Sequence, residues 1–265
     1  AVISSPILLT SYSAGTNGLA YQQVIMPMPA LSEAQMDLLP LYSTCVTEMG
    51  VGQRDYQQTQ LWHSRLVGAY SASASVRTDK DSLDKLHGNI SFTSKGLARN
   101  QAAMTDLMQE SITAARFDEL PRLRELVAQI RTYRESSITG NGHVLAMTAA
   151  ASGISANANL SQRWGGMMGL TLLKALDKSL DSKDGLTQLA AQLEEIHQLV
   201  LAQPRQYLLV AEGERLDNFA TAMQSGFSGG VSDTATGNLI NYNPELTSVN
   251  HAFTANTQVS FCAKA

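Results

Sequence analysis

Five histidines could bind a metal or move protons, and they are spread widely along this sequence. They are His63, His87, His143, His197 and His251. No two of them stand four residues apart. Two classes of zinc peptidase require that spacing, because it places two imidazole rings on one helix face beside a glutamate base. The sequence therefore contains neither the His-Glu-x-x-His motif nor its inverse.

Glu194 and His197 have the Glu-x-x-His spacing that forms half of a carboxylate-bridged di-iron site. A complete site needs a second copy of this pair and two more glutamates from other helices, and no second copy is evident. We therefore expect these residues to lie on an exposed polar face of a helix. For His63 and His143 we expect structural or surface positions, and for His87 the side of a strand that faces solvent or a neighbouring surface.

Residues 226–230 have the Gly-x-Ser-x-Gly spacing of a hydrolase nucleophile elbow. That motif needs a strand, a tight turn and a helix, whereas this copy lies in a Gly/Ser/Thr/Asn-rich stretch without periodicity. The stretch also lacks the Gly-Lys-Ser/Thr ending of a phosphate-binding loop. We predict neither a nucleophile nor a phosphate site here. No residue of the chain is assigned a catalytic, cofactor-binding or metal-binding role.

One predicted helix carries several arginines that could together bind an anion. They are interleaved with glutamates, and the two sets are Arg122, Arg124, Arg131 and Arg134, and Glu119, Glu125 and Glu135. Charges of both signs on one helix favour a solvated face of mixed charge over an anion site.

The composition excludes several classes of protein. The 265 residues are 44% apolar and 16% charged, so the chain can bury a sizeable core. A net charge of −4 argues against nucleic-acid binding. No apolar run approaches the ~20 residues that span a bilayer, so we expect no membrane segment.

Cys45 and Cys262 are too few and too far apart for a disulfide framework or a zinc finger. We expect two unpaired cysteines in a reducing compartment, most simply the cytoplasm. The chain begins at Ala1 without a signal-like segment and ends in a strand-like run. We therefore expect a fragment of a longer protein, whose N-terminus could carry a signal or transit peptide for the periplasm or an organelle matrix.

Residue patterns in the first third of the chain predict strands and two capped helices. Residues 18–29 read as a strand, and residues 70–76 and 86–94 as an antiparallel hairpin. Ser32 and Gln35 form a capping box at the start of a helix that Pro40 should kink or split and Gly50 should end. Asp55 should cap a second helix over residues 55–68.

The remainder of the chain is mainly helical by pattern. Helices are predicted over residues 97–112, 118–138, 142–152, 159–180 with a break at Gly165 and Gly166, 185–201 and 215–223, and a strand over 206–214. This order predicts an α+β fold in which an antiparallel or mixed sheet has helices packed on one face. The predicted division is residues 1–225 as a non-catalytic α+β domain, 226–255 as a linker or mobile loop, and 256–265 as the first strand of a following, truncated domain.

Six segments, in their order and spacing, carry a family resemblance. They are TNGLAYQQVIMPMPALS, LLPLYSTCVTEMG, YSASASV, FTSKGLARNQAAMTDLM, ARFDELPRLRELVAQIRTYRESSITGNGH and TQVSFCAKA. Over residues 15–225 the chain resembles the third domain of the presequence-protease-like branch of the pitrilysin/insulinase (M16) zinc metallopeptidases. Residues 256–265 resemble the first strand of the fourth domain. The resemblance implies the metallopeptidase-homology fold.

The resemblance also implies where the chemistry of such a protein lies. Family members have four homologous domains in two bowl-like halves that close around unstructured peptides. Zinc is held in the first domain by an inverted His-x-x-Glu-His helix and a downstream glutamate, and arginine and tyrosine from the fourth domain reach the substrate. Matching Gly50 to the glycine after the zinc helix places the ligand and base positions within one residue of Leu41, Thr44 and Cys45, and none of these three side chains can serve. Residues 38–50 are then scaffold, with zinc bound in the parent enzyme outside this chain and none within it.

We therefore predict a non-catalytic wall domain of a zinc metalloendopeptidase that degrades unstructured peptides inside a closed chamber. Its partners would be the remaining domains of the same polypeptide and the peptides, with no nucleic acid and no membrane. One alternative is a structural or binding member of the same fold, such as an inactive processing-peptidase or core-type subunit. A second is an unrelated small-molecule enzyme that uses the arginine-rich helix or the glycine-rich segment.

Overall fold

A mixed β-sheet forms one layer of the molecule. The computed structural model describes residues 7–82, 85–227, 239–248, 250–255 and 258–265. The strands are β1 (Leu8–Ser13), β2 (Leu19–Pro27), β3 (Ala69–Thr78), β4 (Leu86–Leu97), β5 (Gln206–Ala211) and β6 (Leu239–Ile240). Their order is β1-β5-β2-β4-β3, with β6 paired to the start of β4. β1 runs parallel to β5, and the other pairs are antiparallel.

Helices form the second layer. They are α1 (Glu33–Glu48), α2 (Tyr56–Leu66), α3 (Gln101–Thr113), α4 (Leu120–Ala151), α5 (Ala156–Trp164), α6 (Met167–Ser179), α7 (Lys183–Leu201) and α8 (Leu216–Gly226). The sheet face beneath them carries alternate, fully buried residues such as Val24, Met26, Ile90 and Phe92. The predicted α+β fold, with helices on one face of the sheet, is confirmed.

Local capping signals place the first two helices where the sequence predicted them. The Ser32 hydroxyl accepts a hydrogen bond from the Gln35 backbone N–H at 3.3 Å, and the Ser32 N–H donates to Gln35 Oε1 at 3.0 Å. Asp55 and Gln58 make the same reciprocal pair at the start of α2. Both capping boxes satisfy backbone donors that a helix leaves unpaired at its first turn.

Of the two outcomes predicted for Pro40, a split of the first helix is wrong, because α1 runs unbroken from Glu33 to Glu48, and a kink stays a prediction. Proline lacks an N–H, so it cannot donate to the carbonyl four residues earlier, which belongs to Met36. The indole Nε1–H of Trp164 donates to that carbonyl at 2.8 Å instead. A side chain from α5 therefore satisfies the acceptor that the proline leaves free.

Two helices predicted over residues 118–138 and 142–152 are one continuous helix, α4. Gly140 and Gly142 lie within it, and Gly142 is buried against the ring of Phe261. A Cβ built at Gly142 would lie 2.2 Å from that ring, so the glycine allows the close approach. Gly142, which suggested a helix boundary in the sequence, instead lets the ring of Phe261 pack closely on α4.

The structure differs from the predicted strands at two places. The sequence analysis predicts no strand at β1, which pairs in parallel with β5, a strand far along the chain. Residues 258–265 contain no strand, and part of this segment lies against α4. The domain boundaries at residues 225 and 255 stay a prediction, since much of the intervening segment lies outside the described residues.

Candidate functional site

Helix α1 carries the three positions at which the family resemblance would place zinc ligands and a base. Leu41 is 5% exposed and Cys45 is fully buried, so both belong to the core beneath the helix. Burial raises the pKa of the Cys45 thiol to about 12. A metal ligand must be the thiolate, which this environment opposes. The Thr44 hydroxyl donates to the Pro40 carbonyl at 3.3 Å and cannot act as a carboxylate base.

Carboxylates near the C-terminal end of α1 stabilise the backbone and neighbouring helices. Glu119 accepts hydrogen bonds from the backbone N–H groups of Gly50 and Tyr56, at 2.8 and 3.1 Å. Glu48 pairs with Arg122 at 3.1 Å. Within the described ranges, no three His, Cys, Asp or Glu residues lie close enough together to hold a metal ion. The residues around α1 do not fit a zinc ion.

His197 is buried, and the prediction that it lies on an exposed polar face is wrong. Its Nδ1 atom lies 2.9 Å from the Tyr42 hydroxyl oxygen, and the residue is 1% exposed. Burial lowers the pKa of His197 to about 4. The position shares one stripe of α7 with Leu189, Leu193 and Val200, all of them buried. Helical spacing thus carries the histidine into the core, where it joins α7 to α1.

The other predicted histidine positions agree with the structure. His63 is a buried residue of α2 whose Nε2 lies 3.2 Å from Ser111 Oγ, and burial lowers its pKa to about 4. His87 lies on the outer side of β4 with its Nε2 2.7 Å from Asp79 Oδ2. His143 is exposed on α4.

The cysteines and the Gly-x-Ser-x-Gly segment offer no catalytic arrangement among the described residues. Cys45 and Cys262 are both unpaired, as predicted, but Cys262 is exposed and belongs to no strand. Gly226 ends α8, and residues 228–230 of the motif lie outside the described residues.

Arginine side chains on α4 pair with acids from other helices, so a simple solvated face does not describe them. Arg124 and Arg131 both donate to the carboxylate of Asp177 on α6, which is 4% exposed. Arg134 differs from them. It donates only a 3.4 Å hydrogen bond to the Gly166 carbonyl and has no carboxylate partner among the residues described. Burial lowers the pKa of the Arg134 guanidinium, and no neighbouring acid raises it again.

A cavity of about 710 Å³ opens beside α1 and includes Arg134 in its wall. Leu41 and Thr44 line it, so it lies on the helix face that carries two of the three zinc-equivalent positions. Sequence reasoning missed this site, because its walls come from helices that are distant in sequence. One signal was present in the sequence. Arg134 has no acid three or four residues away, unlike Arg131, which has Glu135.

The sheet face opposite the helices is a second candidate surface. Alternate residues of the central strands point to it, and they are half-buried or exposed, among them Tyr21, Gln23, Ile25 and Leu208. Toward β3 the same face carries hydroxyls, including Ser71 and Ser73. Along the parts of the chain described here, no helix is long and apolar enough to cross a membrane.

A family model for the associated domain of the peptidases of family M16, subfamily C, matches residues 4–176. This chain belongs to that family. A mitochondrial presequence protease from Danio rerio is 30% identical over 166 residues, which are 63% of this chain and 16% of that protein. Presequence protease 1 of Arabidopsis thaliana, named chloroplastic/mitochondrial, is 25% identical over 94% of this chain and 23% of its own length. The chain thus spans less than a quarter of these two relatives.

Solved structures agree with the fold. A conserved protein from Enterococcus faecalis superimposes with a TM-score of 0.56 at 11% identity, covering 83% of this chain and 50% of that one. A peptidase M16 inactive domain from Pseudomonas fluorescens gives a TM-score of 0.51 at 16% identity, covering 84% and 48%. Both likenesses concern the architecture of sheet and helices.

Proposed function

We propose that this chain is a non-catalytic domain of a zinc metalloendopeptidase that degrades unstructured peptides. In that enzyme the chain forms part of the wall of the chamber in which the peptides are cleaved. Membership of the peptidase-associated family supports the class of enzyme. One observation carries the non-catalytic assignment. The zinc-equivalent positions of α1 are a buried leucine, a threonine bonded to its own helix and a buried thiol, as described above.

Zinc, in this proposal, is bound by another domain of the parent polypeptide. The relatives are presequence proteases several times longer than this chain, which leaves room for a catalytic domain. The remaining domains of the same polypeptide and the peptide substrates are the proposed partners. The names of these relatives favour a mitochondrion or chloroplast over the cytoplasm as the compartment.

A structural or binding member of the same fold is the competing function. The Pseudomonas fluorescens neighbour is itself described as an inactive domain, so the same architecture also occurs in a domain without catalysis. The two functions differ in what the gene must encode. A peptidase requires an in-frame domain with an inverted His-x-x-Glu-His helix, and a purely structural subunit does not.

The test combines sequencing of the complete gene with reconstitution. The proposal expects an upstream zinc domain, and expects this chain to increase cleavage of an unfolded peptide when it is mixed with the half that contains that domain. A variant of the upstream domain with its glutamate base replaced by glutamine serves as the inactive control. A gene without a zinc motif, or no gain in cleavage on mixing, would contradict the proposal.

A further inference from the structure

The cavity beside α1 has the size and lining of a ligand site. Its volume of about 710 Å³ falls within the ~300–1,000 Å³ typical of small-molecule pockets. Apolar side chains from several helices form most of its wall, including Leu38, Leu41, Ile130, Leu173 and Leu176. Such walls favour an apolar ligand.

Arg134 places an uncompensated positive charge in this apolar wall. A guanidinium stays protonated in proteins and offers five N–H donors. Only one of those donors has a partner among the described residues, the Gly166 carbonyl at 3.4 Å. A partly buried arginine without an acid is unusual, because desolvation of its charge is normally offset by a carboxylate. The remaining donors can bind an anion.

Neighbouring acids cannot supply the missing charge, because each is already paired. Asp37, in the cavity wall, accepts two hydrogen bonds from Arg163, at 2.7 and 2.5 Å. Glu135, next to Arg134 in sequence, pairs with Lys174 at 2.8 Å. Neither Asp37 nor Glu135 therefore forms an ion pair with Arg134, because each pairs with another cation.

The N-terminus of α6 adds positive potential on the same side of the cavity. Gly166 is its N-cap and has no side-chain cap, and Gly165 and Gly169 line the cavity. The N-terminus of a 13-residue helix carries a partial positive charge and exposed N–H groups. Arg134 and this terminus together favour a negatively charged group.

We propose that this cavity binds the C-terminal carboxylate of an unstructured peptide that ends in apolar residues. The inference rests on the proposed function, since peptides are the substrates of the proposed chamber. Arg134 holds the carboxylate, and the leucine-rich wall takes the last side chains. Gln129 and Gln192 in the wall have amides that can pair with peptide groups. Tyr133, which is 74% exposed, lies at the cavity and can pack on the arriving peptide.

Fluorescence anisotropy with the 265-residue chain tests this site. The probes are a labelled hexapeptide that ends in Leu-Leu with a free carboxylate, and the same peptide as its C-terminal amide. We expect the free acid to bind at least about tenfold more tightly, the size of one charge-assisted contact. R134Q should reduce the preference to near unity. R99Q, which removes an exposed arginine outside the cavity wall, should retain it.

A second variant tests the site independently, in case R134Q does not fold. L172E places a carboxylate on a cavity residue that is 38% exposed, and it should weaken binding of the free acid at least as much. Circular dichroism checks that each variant is folded. Equal binding of acid and amide would overturn the carboxylate site while leaving peptide binding in place. No binding of either peptide would overturn it as well, and so would binding of decanoate, a simple apolar carboxylate tested as a third ligand, when neither peptide binds. None of these results bears on the reconstitution of cleavage, which tests the proposed function separately.

Discussion

Lowering the pH should destabilise this protein through His197, and replacing His197 by asparagine should remove that part of the effect. Burial lowers the pKa of the ring from 6.5 to about 4 in the folded chain. The unfolded chain binds a proton on this ring below its ordinary pKa, whereas the folded chain does not until about pH 4. The stabilisation is therefore complete above about pH 6.5 and is lost as the pH falls toward about 4.

These two pKa values determine the size of the effect. Between about pH 7.5 and about pH 5.0, the proton taken up by the unfolded chain lowers the free energy of unfolding by about 2 kcal/mol. Most carboxylates remain ionised in this window, so the change reports mainly on buried histidines. His63, whose pKa burial also lowers to about 4, adds a change of the same sign.

Urea denaturation at the two pH values measures this effect. The wild-type free energy of unfolding should fall on acidification, and H197N should show a fall smaller by about 2 kcal/mol. Asparagine can still offer an oxygen to the Tyr42 hydroxyl, which now lies 2.9 Å from Nδ1. H143N, at an exposed site on α4, should behave as wild type. A variant H197N with the full wild-type pH dependence would refute the reasoning.

Three further predictions concern stability and packing. D177N should lower the free energy of unfolding, measured in urea, by about 2 kcal/mol, because it weakens hydrogen bonds to two arginines. D181N, at an exposed neighbour, should change it by under ~0.5 kcal/mol. Equal effects of the two variants would contradict the pairing of Asp177 with Arg124 and Arg131. S32A should remove the N-cap of α1 and cost about 1 kcal/mol by the same assay, and a loss near zero would show that the capping box is not formed. G142A should displace the ring of Phe261 and increase limited proteolysis within residues 258–265, and an unchanged cleavage rate would show that this segment does not pack there.

Local signals in the sequence account for the elements that were predicted correctly. The capping boxes at Ser32 and Asp55 involve residues three positions apart, so their geometry is contained in a short segment. The alternation in β4 predicted which residues face the core, because successive side chains of a strand point to opposite faces. Both kinds of signal are independent of the rest of the chain.

Long-range contacts account for what the sequence did not reveal. The carbonyl that Pro40 leaves free in α1 accepts from Trp164, and the buried ring of His197 lies beside the Tyr42 hydroxyl. β1 exists because β5 pairs with it. The site around Arg134 requires several helices to meet. The pairing of β1 and the meeting of helices around Arg134 join segments that are far apart in the chain, so no pattern in neighbouring residues reveals them. The burial of His197 differs, because the apolar stripe of α7 is a local pattern that includes its position.

Metal analysis of the purified 265-residue chain tests the central claim most directly. Elemental analysis after exhaustive dialysis should find well below one zinc per chain, because α1 offers a buried leucine, a threonine and a protonated thiol at the zinc-equivalent positions. One tightly held zinc per chain would contradict the account and place a metal site within this domain.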